Sequence, residues 1–267
     1  MVRALLNRYL FLFALLTSVP THADFDTAAL GLKQCGTGQV KQALSGDKIE
    51  LISGAHIKLA DIKAPEHWEQ PSQYKSWPYG FYARNQLDAL VKGRKITLHC
   101  YKKSVNFLGV TVAHIILEDN DWLQAELLSQ GIAFLYPEAQ SSTAVHSLYA
   151  IEDAAQRSGK GIWAKDTYTP KSALDTDFRS GWFQIIAGTV ISAKQVRKTI
   201  YLNFGDNWRE DFTIEIPKRV FTAMKKAGLN PLDLENKPVE VRGIIEWGGG
   251  PKIILTSPNR LRLLERN

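Results

Sequence analysis

The strongest constraint in this sequence is a tightly punctuated segment on its N-terminal side. Gln39–Leu44, Lys48–Ile52 and His56–Ile62 alternate apolar and polar residues, and Ser45-Gly46-Asp47 and Ser53-Gly54 separate them as Gly-bearing turns. Three short strands are predicted. Lys63–Pro78 then lacks periodicity, is rich in Pro, Gln, Ser and Trp, and reads as a long loop, a kind of segment that is often functional. Phe81–Val91 places Leu87, Leu90 and Val91 at helical spacing and stops at Gly93. Lys95–Tyr101 and Leu108–Leu117 read as strands, and Leu123–Gln130 and Val145–Arg157, ended by Gly131 and by Ser158-Gly159, read as helices. Three strands, a helix, two strands and two helices make a small α+β, mainly β, domain around a five-stranded barrel.

A second unit follows. Asp166–Asp177, with Pro170 and several Ser, Thr and Asp residues, opens a linker taken as 166–180. Beyond it, Trp182–Val196, Thr199–Phe204, Phe212–Ile216, Val239–Glu246 and Lys252–Thr256 look like strands, and Arg219–Ala227, ended by Gly228, looks like a helix. This order again suits a small five-stranded barrel over 181–267, and Gly248-Gly249-Gly250-Pro251 reads as a hairpin turn within it. The 267 residues, 45% apolar and 22% charged with 7 Trp, 9 Tyr and 11 Phe, exclude disorder, collagen and coiled coil as the chain's class.

Residues 1–23 are read as a targeting segment, not fold. Arg3 and Arg8 precede the apolar run Tyr9–Val19, and Thr21-His22-Ala23 supplies small residues before a cleavage site at Asp24. The run has about half the roughly 20 residues that span a bilayer, which favours a cleaved signal peptide over an anchor. An exported protein, periplasmic or secreted, with no transmembrane segment in the mature chain is therefore expected. In such a compartment the two cysteines, Cys35 and Cys100, are either one disulfide or two buried thiols. Neither lies in a Cys-x-x-Cys, and His56, His67, His99, His114 and His146 share no face or metal spacing. Charge is unevenly spread: residues 24–169 carry 15 basic and 16 acidic side chains, net −1, and residues 170–267 carry 16 and 11, net +5. Contact with a polyanion is thus expected of the C-terminal half.

The segment from 39 to 163 resembles the staphylococcal nuclease, or thermonuclease-like, family. That family reads Val-x-x-x-x-Asp-Gly-Asp-Thr, followed eleven residues after the second Asp by Arg-Leu-x-x-Ile-Asp-x-Pro-Glu; here Ser45-Gly46-Asp47-Lys48 is followed at that spacing by Lys58-Leu59-Ala60-Asp61-Ile62-Lys63-Ala64-Pro65-Glu66. Leu108-Gly109-Val110-Thr111-Val112-Ala113-His114-Ile115 stands where the family has Tyr-Gly-Arg leading into Ala-x-Val. Glu126–Ala133 matches the helix and turn that follow, and Gly159-Lys160-Gly161-Ile162-Trp163 the closing motif. The resemblance implies an OB-type five-stranded barrel with three helices, over 24–165, and calcium-dependent hydrolysis of nucleic-acid phosphodiesters.

That chemistry needs two carboxylates for Ca²⁺, a Glu to orient water, and two guanidinium groups for the phosphate. Carried over position by position, Asp47 keeps one metal carboxylate and Glu66 the water-orienting role, but the second carboxylate is Lys63, one arginine is Lys58 and the other falls at Val110. Lys58 keeps charge without the bidentate fork. Val110 supplies neither charge nor donor, although Lys102 and Lys103 lie nearby in sequence. Lys63 is expected to pair with Asp47 and occupy the cation's place, so that no metal cofactor is expected. Against this, residues 61 and 63 of a strand face the same side, which would let Asp61 replace the lost ligand and bind calcium after all. Asp47 also suits a hairpin turn and Glu66 a loop cap, whatever their chemistry. His67 and Trp68 are the candidates for a new contact beside the pocket.

In the second, OB-like unit, Tyr201–Trp208 and Asp211-Phe212-Thr213 look like a segment found downstream of nuclease-like domains in some exported bacterial proteins. Arg197, Lys198, Tyr201, Phe204, Trp208 and Arg209 are the candidate residues for single-stranded nucleic acid or another polyanion, by stacking and phosphate contact. The alternative makes the aromatics core and the cations a solvated rim. The expected function is a non-catalytic binding or scaffold module; the alternatives are a weak or altered metal-dependent endonuclease using Asp47, Glu66 and Asp61, and a structural envelope protein with an unknown protein partner.

Overall fold

The computed structural model describes residues 31–66, 77–101, 109–138, 142–164, 166–207 and 209–264. The leader-like segment 1–23 and the candidates His67, Trp68, Lys102, Lys103 and Trp208 lie outside the described residues.

The first unit is a closed barrel. Strands β1 (Lys33–Ser45), β2 (Lys48–Leu51) and β3 (His56–Leu59) form the expected run, and β4 (Ile62–Lys63) follows it. Helix α1 (Gly80–Val91) leads to β5 (Lys95–Cys100) and β6 (Thr111–Leu117), and the barrel closes in the order β1-β2-β3-β6-β5. Helix α2 (Leu123–Ser129), strand β7 (Phe134–Leu135) and helix α3 (Ser142–Arg157) complete the unit.

Strand β1 begins six residues before its predicted start, at Lys33 rather than Gln39, and its added half pairs with β5 to close the barrel. Gly36 and Gly38 hide that half in the sequence, because glycine weakens a strand signal. At Gly38 a Cβ would lie 2.6 Å from Leu51 Cδ1, so the close crossing over β2 requires glycine. Cys35 and Cys100 form a disulfide across this seam, with Cα atoms 5.7 Å apart.

The predicted strand His56–Ile62 breaks at Asp61, whose φ of 57° is left-handed. Beyond the break β4 leaves the barrel and pairs with β7. Where α2 ends, Gly131 and Gly161 adopt positive φ and approach backbone to backbone, and the Ile162 amide donates to Gly131 O at 2.8 Å. A Cβ on either glycine would overlap a main-chain carbonyl, which explains both glycines of the family-like motifs.

The second unit is built of two sheets rather than one closed barrel. Strands β8 (Lys171–Ser172) and β9 (Phe183–Thr189) are followed by β10 (Ser192–Val196), β11 (Thr199–Asn203) and β12 (Thr213–Pro217), then helix α4 (Lys218–Lys226). Strands β13 (Pro238–Ile244), β14 (Glu246–Trp247), β15 (Pro251–Ile254) and β16 (Leu261–Leu263) end the chain's described fold. One sheet runs β10-β11-β12-β15-β14 and the other β16-β13-β9-β8. The predicted single strand Trp182–Val196 is two strands because Val190 and Ile191 carry the chain from one sheet to the other. The two sheets share a core that includes Ile186, Leu202, Phe212, Ile214, Val241 and Ile253. The segment 166–180 is packed rather than free: Tyr168, Ala173 and Phe178 are buried, and β8 adds to β9 in parallel.

The outer face of the β9–β13 sheet lies against the barrel unit. Phe183 and Ile185 of β9 pack with Trp77, Phe134, Ile162, Trp163 and Tyr168. Beside this apolar contact, Arg242 of β13 is 1% exposed, and its guanidinium reaches Glu152 of α3 at 2.6 Å, Leu135 O at 2.9 Å and Glu240 at 2.5 Å. Arg262 grips Asp153 of α3 with two bonds of 2.8 and 2.9 Å and also binds Glu240. Arg260 donates to Pro137 O at 2.9 Å and lies over the Tyr136 ring. Three of the cations behind the C-terminal charge surplus are therefore committed to the barrel unit and not to an outside polyanion.

Candidate functional site

The β1–β2 turn places Asp47. It is tucked inward because Gly46 precedes it: a Cβ there would lie 2.5 Å from Ala64 Cβ and 2.6 Å from Ala83 Cβ, so only glycine lets the turn sit against α1 and the chain after β4. Asp47 is 5% exposed. Its Oδ1 accepts from Ser45 Oγ at 2.9 Å, and its Oδ2 accepts from the Ala64 amide at 3.2 Å and from Lys58 Nζ at 2.7 Å. Lys58 reaches from β3 and also donates to Ile62 O at 2.9 Å. Burial by itself raises the Asp47 carboxyl, but the Lys58 charge and hydrogen bond, the Lys63 charge and the Ser45 hydroxyl outweigh it and hold the group below the ordinary carboxylate value.

Lys63 therefore does not take the partner expected of it. Its ammonium binds Glu66 Oε1 at 2.6 Å and stands over the Trp77 ring, 5.1 Å from the centroid. Trp77 stacks on Trp182 at 5.8 Å, and the Arg179 guanidinium lies 4.9 Å from the Trp182 ring on the second unit. The site is thus braced from outside the barrel by a ladder of cation, two indoles and cation.

Asp61 is the clearest correction. Its left-handed backbone ends the strand alternation on which the shared face of residues 61 and 63 depended. The side chain is 2% exposed and is engaged elsewhere, accepting from Tyr101 Oη at 2.7 Å, His114 Nε2 at 3.1 Å and the Glu138 amide at 2.7 Å. Trp122 Nε1 lies 3.2 Å from His114 Nδ1, so the imidazole bridges this indole and the Asp61 carboxylate. Burial raises the Asp61 carboxyl, and the hydrogen bond and charge of His114, the Tyr101 hydroxyl and the Glu138 amide overcome this to leave it at about 2. Tyr101, His114 and Trp122 form a buried polar group that sequence reading missed; the only signal was a His in an otherwise apolar strand.

As arranged, these side chains do not fit a calcium ion. Such an ion needs six or more oxygen ligands. The Asp47 oxygens face Ser45, Ala64 and Lys58, while Glu66 faces Lys63. Val110, at the second arginine position, is half-buried and offers no donor from its side chain. Among the described residues no group of three or more His, Cys, Asp and Glu side chains is arranged to hold a metal.

The C-terminal candidates divide. Tyr201 lies on the outer face of β11, whereas Phe204 is 2% exposed and packs on Phe212, 5.5 Å between ring centroids; it belongs to the core and not to a binding face. Arg197 and Lys198 form the β10–β11 turn, with Arg197 at a positive φ of 52°. Arg209 is exposed beyond β11. No helix of the described residues is long and apolar enough to cross a membrane.

No curated protein matches the chain significantly. Residues 56–165, however, match the family described as staphylococcal nuclease homologue, from the start of β3 to two residues past the closing Gly-Lys-Gly-Ile-Trp segment. Together with the closed β1-β2-β3-β6-β5 barrel, this match makes the first unit of the chain a staphylococcal nuclease-like domain.

Proposed function

We propose that this protein is exported and that it binds single-stranded nucleic acid or a similar polyanion without hydrolysing it. One observation carries the reading: Asp47 and Glu66, the two carboxylates retained at the family's chemical positions, are each held by a lysine ammonium, at 2.7 and 2.6 Å. A carboxylate with a cation at hydrogen-bond distance is poorly placed to accept a second cation or to orient a water. Without the arginine fork and a second arginine, transition-state charge on phosphate goes unanswered, a loss worth a factor of ~10² or more in rate. Export is supported by the leader-like N-terminus and by the Cys35–Cys100 disulfide, which suits an oxidising compartment.

The test uses the mature protein, incubated with single-stranded DNA and with RNA, with and without calcium at about 10 mM, near the upper range of weak extracellular sites. The expected outcome is retardation in a gel without cleavage. Calcium-dependent cleavage that disappears in Glu66→Ala would overturn the non-catalytic reading, and neither cleavage nor retardation would overturn the binding one.

A further inference from the structure

The β10-β11-β12-β15-β14 sheet buries one face and leaves the other open. Along β11, Ile200 and Leu202 are fully buried while Thr199, Tyr201 and Asn203 face outward. Register places Lys194 beside Tyr201 and Tyr201 beside Glu215, and a second row runs Ser192, Asn203, Thr213 and Lys252. The bend of the β14–β15 hairpin, at Gly248 and Gly250, lines the same space, and the face holds a groove of about 430 Å³. That volume is in the range that encloses a ligand of nucleotide size.

The chemistry of the groove is asymmetric. Its floor carries one aromatic platform, Tyr201, with Val196 and Pro251 among the lining residues and the polar row of Asn203 and Thr213 alongside. Glu215 is neutralised by Lys252 at 2.8 Å. Lys194, by contrast, is exposed and forms no ion pair with any described residue, and the same holds for Arg197 and Lys198 at the turn that ends the groove. Uncommitted cations at one end and an aromatic face on the floor suit an anionic backbone bearing flat rings.

We infer that this groove is the nucleic-acid site of the protein, taking a single strand with one base stacked on Tyr201 and its phosphates against Lys194, Arg197 and Lys198. The inference rests on the binding reading proposed above and locates it away from Asp47 and Glu66.

The test is fluorescence anisotropy of a labelled oligothymidylate of about a dozen nucleotides on the full mature protein, over a series of salt concentrations. Tyr201→Ala is expected to weaken binding about tenfold and Tyr201→Phe to restore it, since stacking needs the ring alone. Lys194→Gln with Arg197→Gln is expected to lower the slope of log affinity against log salt by about 1 to 2, a change that mere loss of fold would not imitate. Binding by the native protein that all these variants retain would overturn the groove while leaving the binding reading intact. No binding by the native protein would overturn both. A heparin fragment that binds equally well to native protein and Tyr201→Ala, where the oligothymidylate does not bind, would replace the nucleic acid with a polyanion read by charge alone.

Discussion

Lys58 and Asp47 are bound at 2.7 Å, and because Lys58 also donates to Ile62 O, one ammonium ties the β1–β2 turn to β3 and to the start of β4. The Asp47 carboxyl is buried and depends on that charge. Lys58→Met is therefore expected to cost about 3 kcal/mol in urea unfolding, because it strands a desolvated carboxylate. Adding Asp47→Asn should recover most of the loss by removing the charge that was stranded. A cost no larger than that of Lys92→Met, an exposed lysine on a weak 3.7 Å pair, would show that the pair does not hold the turn.

Asp61 predicts an acid transition. Its carboxyl is at about 2 in the fold against an ordinary 3.8, so the folded state holds the ionised form more favourably than the unfolded chain does. A depressed carboxyl stabilises above its unfolded value and loses that stabilisation as pH falls through the folded one. The window thus runs from about 4 down to about 2, and the loss is about 2 kcal/mol. Asn tolerates the left-handed backbone at position 61, so Asp61→Asn changes charge with little strain. Urea midpoints measured at stepped pH should fall less steeply through this window in the variant; identical slopes would remove Asp61 from the acid transition.

The behaviour of Asp61 also shows where reading the sequence stops. The barrel was legible because its turns carry Ser-Gly-Asp and Ser-Gly at regular spacing, and the five barrel strands and three helices come in the predicted order, only the two-residue strands β4 and β7 being added. The roles of Lys58 and Lys63 were not, since both are two-residue choices of partner that depend on where β4 bends. Alternation assigns faces only while the backbone stays extended, and one positive φ at Asp61 moved a carboxylate from a candidate ligand to a buried acceptor. Phe204 failed for the opposite reason: it keeps the phase of Ile200 and Leu202, so the period that turns Tyr201 outward turns Phe204 into the core. Charge counting was blind to Arg242, Arg260 and Arg262, because a sum does not say which cations meet carboxylates of the same chain.

The Cys35–Cys100 disulfide closes a sequence separation of 65 residues and staples the N-terminal half of β1 to the end of β5. Loop entropy for that length gives a stabilisation of about 4 kcal/mol. Cys35→Ser with Cys100→Ser is expected to lower stability by about that amount, and reduction of the native protein should reproduce the shift. Equal urea midpoints for oxidised and reduced protein would mean that the barrel seam closes without it.

Arg242 tests whether the two units form one cooperative structure. Its guanidinium is almost fully enclosed, faces Glu152 and Glu240, and touches the Tyr149 ring at 4.5 Å. Arg242→Met keeps much of the side-chain volume but leaves two buried carboxylates without their shared cation, so the expected cost is about 3–5 kcal/mol. Arg262→Met removes a partner that is one-quarter exposed at the edge of the same contact, and should cost about 1 kcal/mol. If the network joins the units, native protein unfolds in one step and Arg242→Met separates tryptophan fluorescence, to which Trp77, Trp163 and Trp182 at the contact contribute, from the far-ultraviolet signal of the sheets. Coincident transitions at an unchanged midpoint would instead show that the apolar contact of Phe134, Phe183 and Ile185 suffices. The buried charges would then fix only the angle at which the second unit meets the barrel.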